Sequence, residues 1–268
     1  MLSPKSLIKS LSNTIKDCYH YVRFPYAFIA YRGVFKDFAS AFNAVPKTRN
    51  RGLTYNQAEP RDINQICENY AKPIKLVDTE YPIFFWLDRI LQQNPKLQVC
   101  DFGGGDGRHY FAFTQHSSHK LQWDVCELEQ NVKLGNTMAQ KMGIDNLHFS
   151  QTPNDAQIFL SSSAFQYIEN LYNLLEEYLT GGGGAEHILL TRLPLQDNAP
   201  TFVTLQNALN QFYTPFRIFN RFEFIDFFIK MGYELVDEWK DPFDCVIIPF
   251  HRNISVTCSW GMYFRKIC

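Results

Sequence analysis

Val99-Cys100-Asp101-Phe102-Gly103-Gly104-Gly105-Asp106-Gly107 is the stretch that decides how this chain folds. A short apolar strand over 97–102 runs straight into a glycine-rich turn, and a helical stretch over 108–115 follows at once. A turn built of glycines lets backbone approach a ligand with no Cβ in the way. The helix that it opens presents an N-terminus that favours electronegative groups. Gly103 and Gly105 match the first two glycines of a dinucleotide GxGxxG, but Arg108 stands where the third belongs, and Gly107 makes the pattern GxGxG. No Gly-Lys-Ser/Thr follows, so the loop is not a Walker A phosphate loop.

Outward from the loop, strand and helix signals alternate. Strands are expected at 123–128, 147–150, 158–162 and 187–193, with helices over 130–142, ending at Gly143, and over 164–179, stopped by Thr180 and Gly181 to Gly184. A helix over 222–231 and strands at 233–239, 245–248 and 256–264 follow. Such alternation predicts βαβ units, hence an α/β fold with a mostly parallel sheet and helices on both faces. Residues 1–70 carry no strong strand signal; 7–22 and 36–45 read as helices and 46–60 as loop, and helix period returns over 81–93 until Asn94-Pro95 ends it. The division expected is an N-terminal helical or lid region, 1–95, and a ligand-binding α/β domain, 96–268.

Composition narrows the function. The 268 residues are 46% hydrophobic and 20% charged, enough to bury a core and to exclude a disordered chain. The net charge of −1 lacks the basic excess of a nucleic-acid binder. Seven cysteines, an odd number with wide spacings and no CxxC, read as buried free thiols in a reducing, cytoplasmic setting. No 18-residue apolar run exists, so no transmembrane helix is expected. Leu7, Ile8, Leu11 and Ile15 recur at helical spacing among Lys5, Lys9 and Lys16. The expectation is a short amphipathic helix packed on the domain, with weak contact to a membrane surface as the alternative. No metal site is expected: His116 and His119 are three apart but have no carboxylate or thiol in register.

GxGxG after a strand, with an acid just before it, resembles motif I of class I S-adenosylmethionine (SAM) dependent methyltransferases. Asp101-Phe102-Gly103-Gly104-Gly105, Trp123 to Glu127, Ser162 to Ile168, Thr191-Arg192-Leu193-Pro194-Leu195, Asn220-Arg221 and Gly232 to Trp239 occur in one order, led by Tyr31 to Phe38. Together they resemble a family of bacterial methyltransferases associated with surface-polysaccharide gene clusters, and the resemblance spans most of the chain. It implies a Rossmann-like class I methyltransferase sheet, SAM as cofactor and a small-molecule or glycan-linked acceptor. Gly103, Gly104, Gly105 and Gly107 would surround the amino-acid and ribose parts of SAM. Glu127 would accept hydrogen bonds from the ribose hydroxyls, with Glu129 as the fallback. Asp101 would support the loop and face the cofactor's amino group, and Ser162 and Ser163 follow the strand that faces the methyl group. Only 151–157 separates the third strand from the fourth, so the helix usual there is missing or reduced to a turn; Asp155 is there either as an adenine contact or as a turn residue.

Methyl transfer from a sulfonium needs alignment more than covalent help. Tyr167, Arg192 and Arg221 are the residues placed at the acceptor, the arginines as forks for a carboxylate or phosphate. Packed-aromatic and surface-charge readings of the three stay open. So does the alternative that the chain is a methyltransferase-like scaffold without turnover in a glycan-assembly complex. The oligomeric state has no sequence signal.

Overall fold

The computed structural model describes residues 4–46, 62–181, 184–208, 212–241 and 245–267. Its helices are α1 (Pro4–Arg23), α2 (Phe38–Asn43), α3 (Ile63–Tyr70), α4 (Glu80–Gln93), α5 (Arg108–His116), α6 (Glu129–Met142), α7 (Leu171–Thr180) and α8 (Arg221–Lys230). Its strands are β1 (Ala30–Phe35), β2 (Val99–Phe102), β3 (Trp123–Cys126), β4 (Leu147–Ser150), β5 (Ile158–Ser162), β6 (His187–Leu193), β7 (Leu195–Gln196), β8 (Phe202–Ala208), β9 (Phe212–Asn220), β10 (Tyr233–Asp241) and β11 (Ser259–Lys266). They fall into two compact units, each discontinuous in sequence. One comprises Met1–Ala58, Pro194–Glu223 and Asp244–Cys258; the other comprises Glu59–Leu193, Phe224–Phe243 and Ser259–Cys268.

The larger unit is a seven-stranded sheet in the order β10-β11-β6-β5-β2-β3-β4. β2 pairs in parallel with β3 and β5, β3 with β4, and β5 with β6; β11 and β10 close that edge antiparallel. All four residues of β2 are buried, as a central parallel strand covered on both faces requires. Edge strand β4 instead alternates, with Leu147 and Phe149 inward. Ile83, Leu87, Ile90 and Leu91 recur at helical spacing on α4 and join Phe113, Trp123, Val125, Ile158 and Leu189 in one core cluster. The helix boundaries follow local chemistry. Gly107 begins α5 in the left-handed region (φ 84°), Gly143 ends α6 in the same region (φ 66°), and Asn94 ends α4 one residue before Pro95.

The smaller unit holds a second sheet, β1-β8-β9-β7. β8 lies antiparallel to β1 and β9, while the two-residue β7 runs parallel to β9. Tyr31, Phe202, Phe216, Ile218, Val246 and Val256 form one of its apolar clusters, and Phe24, Leu205 and Tyr213 another. Asn207, fully buried on β8, donates to the carbonyls of Phe24 (2.7 Å) and Ala27 (2.9 Å), tying the chain after α1 to the sheet.

Several expectations change here. Within the region expected as an N-terminal extension, α3 and α4 pack into the core of the seven-stranded sheet. The N-terminal region is not wholly helical: β1 is a strand, interrupted in register near Gly33 (φ 80°). Leu11 and Ile15 are exposed rather than packed on the domain; the side chains of Leu7 and Ile8 lie outside the described ones. Residues 164–179 are not one helix: a 3-10 turn, Phe165–Tyr167, precedes α7, since Ser163 takes a left-handed backbone (φ 58°). The strand expected at 245–248 is a single bridge, Val246 to Val256. Of the cysteines, Cys100 and Cys126 are buried, but Cys18 and Cys245 are exposed. Residues 47–60 of the expected loop, with Gly182, Gly183 and Cys268, lie outside the described residues.

Candidate active site

The sheet reverses its direction of growth at β2, with β3 on one side and β5 on the other. Open α/β sheets bind ligands at the carboxyl ends of the strands beside such a switch point. The glycine loop leaves β2 at that end. Gly103, Gly105 and Gly107 all have positive φ (71°, 64° and 84°), a region that glycine enters without strain. Their surroundings differ. A Cβ on Gly103 would lie 2.5 Å from Cβ of Ala164, and one on Gly104 would lie 2.5 Å from Cγ of Asp101. A Cβ on Gly105 would meet no atom of the described residues within 4 Å. Gly103 and Gly104 are therefore glycines because protein packs against them, while Gly105 borders open space that a ligand can enter.

Two acids organise the loop. Glu127, just past β3, accepts from the backbone N–H of Gly105 at 3.0 Å with Oε1, and from the Leu128 N–H and Asn131 Nδ2 with Oε2. Its carboxylate is thus fixed beside the open glycine. Glu129, two residues on, is exposed and pairs with Lys133, which holds its carboxyl below the usual range through that hydrogen bond and charge. Asp101 is fully buried under the loop. It accepts from Trp123 Nε1 at 3.3 Å, and the Nδ1 of His109 lies 3.2 Å from its Oδ2. Burial works against charge on His109, but the Asp101 carboxylate outweighs it and raises the imidazole pKa above its ordinary value. Cys126, the residue before Glu127, is an inert thiol: burial pushes it up to about 12.

Helices before β2 brace the same loop. The Tyr70 hydroxyl donates to Asp106 at 2.5 Å, with its ring stacked on Phe111 at 4.2 Å. Arg108 makes a two-point pair with buried Glu80, at 2.7 and 3.1 Å. The sequence marks His109 by its place just after the loop, but nothing local joins Tyr70 or Glu80 to it, and those two were missed.

The next two strands end alongside. Ser161 Oγ donates to the Phe102 carbonyl, and Ala164 abuts Gly103, so Ser162 and Ser163 emerge next to the glycine turn. Ser162 pairs in register with Thr191, and the Ser163 N–H donates to the Thr191 carbonyl. Ser163 (φ 58°) and Arg192 (φ 56°) are both non-glycine residues with left-handed backbone, at the ends of neighbouring strands. Such strain clusters at functional sites. Buried Gln166 donates to Ser163 Oγ, while its Oε1 and the buried Thr191 Oγ1 have no hydrogen-bond partner among the described residues. Tyr167 is exposed on its 3-10 turn.

The structure thus brings together Asp101, Gly103, Gly104, Gly105, Gly107, Glu127, Ser162 and Ser163, with Thr191 and Arg192 at the next strand end. Arg221 belongs to the smaller unit, where Nε lies 2.9 Å from Asp197 Oδ1 and the guanidinium stands over the Phe222 ring. The connection between β4 and β5 contains no helix; Asp155 is exposed on it, and Asn154 donates to Asp124. His116 contacts the Ile74 carbonyl and His119 pairs with Asp88, so they do not converge, and no cluster that could hold a metal ion occurs among the described residues.

The fold is Rossmann-like. No family model matches the chain, nor does any of the curated proteins. Solved structures similar to it include the Burkholderia thailandensis 1,6-didemethyltoxoflavin-N1-methyltransferase with S-adenosylhomocysteine. That structure shares 13% identity over 74% of this chain and 94% of that one, with a TM-score of 0.44. A second is the magnesium protoporphyrin IX methyltransferase of Synechocystis with bound SAM, at 11% identity over 77% and 98%, with a TM-score of 0.47. A SAM-dependent methyltransferase from Aquifex aeolicus gives 12%, 77%, 100% and 0.45.

Proposed function

We propose that this protein is a SAM-dependent methyltransferase acting on a small or carbohydrate-linked acceptor, in the cytoplasm and in the service of bacterial surface-polysaccharide synthesis. The observation that carries the reading is the Glu127 carboxylate held 3.0 Å from the N–H of Gly105, the one glycine of the loop with open space around its missing Cβ. A carboxylate and free backbone at the end of two adjacent parallel strands suit a ligand that presents vicinal hydroxyls and a positive centre. The GxGxG spacing argues against a dinucleotide.

In this reading Gly103 to Gly107 and Asp101 hold the amino-acid part of SAM, and Glu127 holds the ribose. Ser162 and Ser163 line the approach to the methyl group. When bound, SAM supplies an electrophilic methyl carbon on sulfur. The contribution of the chain is alignment. Tyr167 and Arg192 orient the acceptor, the guanidinium serving as a fork for a carboxylate or phosphate. Asp101, tied to His109 and Trp123, keeps the loop in its binding shape.

Isothermal titration with SAM tests cofactor binding, with one-to-one saturation expected. Release of S-adenosylhomocysteine on adding a cell-envelope extract tests turnover. Absence of any SAM binding by folded protein removes the proposal; binding without release reduces it to a scaffold.

A further inference from the structure

From Leu11 onward, helix α1 carries its large apolar residues on the outside. Leu11 is 64% exposed, Ile15 63% and Val22 73%, and Tyr19 is exposed beside them. At 3.6 residues per turn, Leu11, Ile15, Cys18 and Val22 line one side of the helix. Asp17, two residues after Ile15, lies about 200° round the axis from it. It is 5% exposed and takes a two-point pair from Arg252 of the same unit, at 2.8 and 3.2 Å. The helix is therefore moored through a buried ion pair on the side opposite its apolar stripe. This reverses the usual arrangement, in which the apolar side faces the core.

Charge says what covers the stripe. Asp17 is the only acid on α1, and the mooring consumes it. Lys16 and Arg23, seven residues apart on one flank, are exposed, and the helix sequence also contains Lys5 and Lys9. The chain then continues through exposed Tyr26, Phe28 and Ile29. Among the described residues, eight of the twenty exposed large hydrophobic ones fall within 11–29, so this exposed apolar material is concentrated there. Aliphatic and tyrosine side chains in a row, whose exposed charged neighbours on the helix are the cations Lys16 and Arg23, match the chemistry of the boundary between lipid headgroups and acyl chains. No described helix is long and apolar enough to cross a membrane, so the match is to lying on the surface. We propose that α1 docks the protein on an anionic lipid bilayer, with Leu11, Ile15, Cys18 and Val22 entering the acyl boundary and Lys16 and Arg23 engaging headgroup phosphates.

Cosedimentation of the full chain with vesicles tests this, using phosphatidylcholine alone and phosphatidylcholine mixed with phosphatidylglycerol. Binding to the mixed vesicles that weakens with added salt is expected. Leu11→Ser with Ile15→Ser should lower the partition coefficient by at least about tenfold. Lys16→Ala and Arg23→Ala should each lower it about fivefold on mixed vesicles and leave it unchanged on neutral ones. Near-UV circular dichroism of each variant should match the parent, since all four side chains are exposed; the lysine and arginine variants carry the test if the serine pair does not fold. Failure to bind either vesicle overturns the proposal, as does equal binding by the serine pair. Sedimentation equilibrium showing a dimer that the serine pair dissociates assigns the stripe to a second copy and overturns it too.

Discussion

Glu127 and Gly105 are 22 residues apart, and the carboxylate of one accepts the backbone N–H of the other at 3.0 Å. The contact pins the second turn of the ligand-binding end to the first. It also sets an acid where ligand hydroxyls would arrive. Glu127→Ala should weaken SAM binding by roughly 1.5–3 kcal/mol, the range for a hydrogen bond to a charged group. Titration calorimetry reads this directly. Glu129→Ala should leave the affinity unchanged, since that side chain pairs with Lys133 at the exposed start of α6.

Gly103 and Gly105 separate packing from binding. Gly103→Ala would drive its Cβ against Ala164 and strain a positive φ, so its thermal midpoint should fall, consistent with about 1–3 kcal/mol for the strained backbone alone. Gly105→Val suffers the strain without the clash. It should remain folded by circular dichroism yet lose SAM binding, because its side chain fills the open space. Full affinity in folded Gly105→Val protein would remove the loop from the site.

The pair of His109 and Asp101 gives a pH signature. The imidazole pKa is raised in the folded protein, so its charge stabilises the fold fully below the ordinary histidine value of about 6.5. That stability is lost as the pH rises through the higher folded value. The thermal midpoint should therefore fall across this window on going to alkaline pH. His109→Gln should flatten the fall, and an unchanged profile in the variant would assign the titration elsewhere.

Arg192 holds a backbone that favours glycine. Arg192→Gly should relieve that strain and keep the melting point equal or higher, while turnover falls. Arg192→Lys should also turn over poorly, since a lysine cannot form the planar fork. With an acceptor in hand, KM for it should rise more than kcat falls, and SAM affinity should hold. Loss of SAM binding in Arg192→Lys would place the residue at the cofactor instead.

The larger sheet was legible because most of its parallel strands are short, mainly apolar runs that end at a turn signal. Val99 to Phe102 before the glycines and Ile158 to Ser162 before a polar loop are such runs. Glu127 was legible for the same reason, since it ends the strand that must lie next to β2. The smaller sheet was not. All seven residues of β8 are buried, which removes alternation, β9 contains Pro215, and β1 contains Gly33. Ser163 and Arg192 carried no signal of their strained backbone, because neither is a glycine. The bracing of the loop by Tyr70 and Glu80 is purely tertiary, and so is the pairing of Asp17, a lone acid among lysines in the chain, with Arg252.

β11 pairs with β6, Trp260 opposite Leu193 and Arg265 opposite His187. Everything over 194–258 lies between these two strands in the chain, including most of the second sheet. During synthesis β6 is therefore made long before the strand that covers its edge. For that interval His187-Ile188-Leu189-Leu190-Thr191, a segment of β-forming apolar character, offers an unpaired ladder to any neighbouring nascent chain. Closing the sheet must also bring together ends joined by a long loop, a slow step by its entropy. Expression yield should consequently depend on temperature and chaperone supply more than the stability of the finished protein suggests.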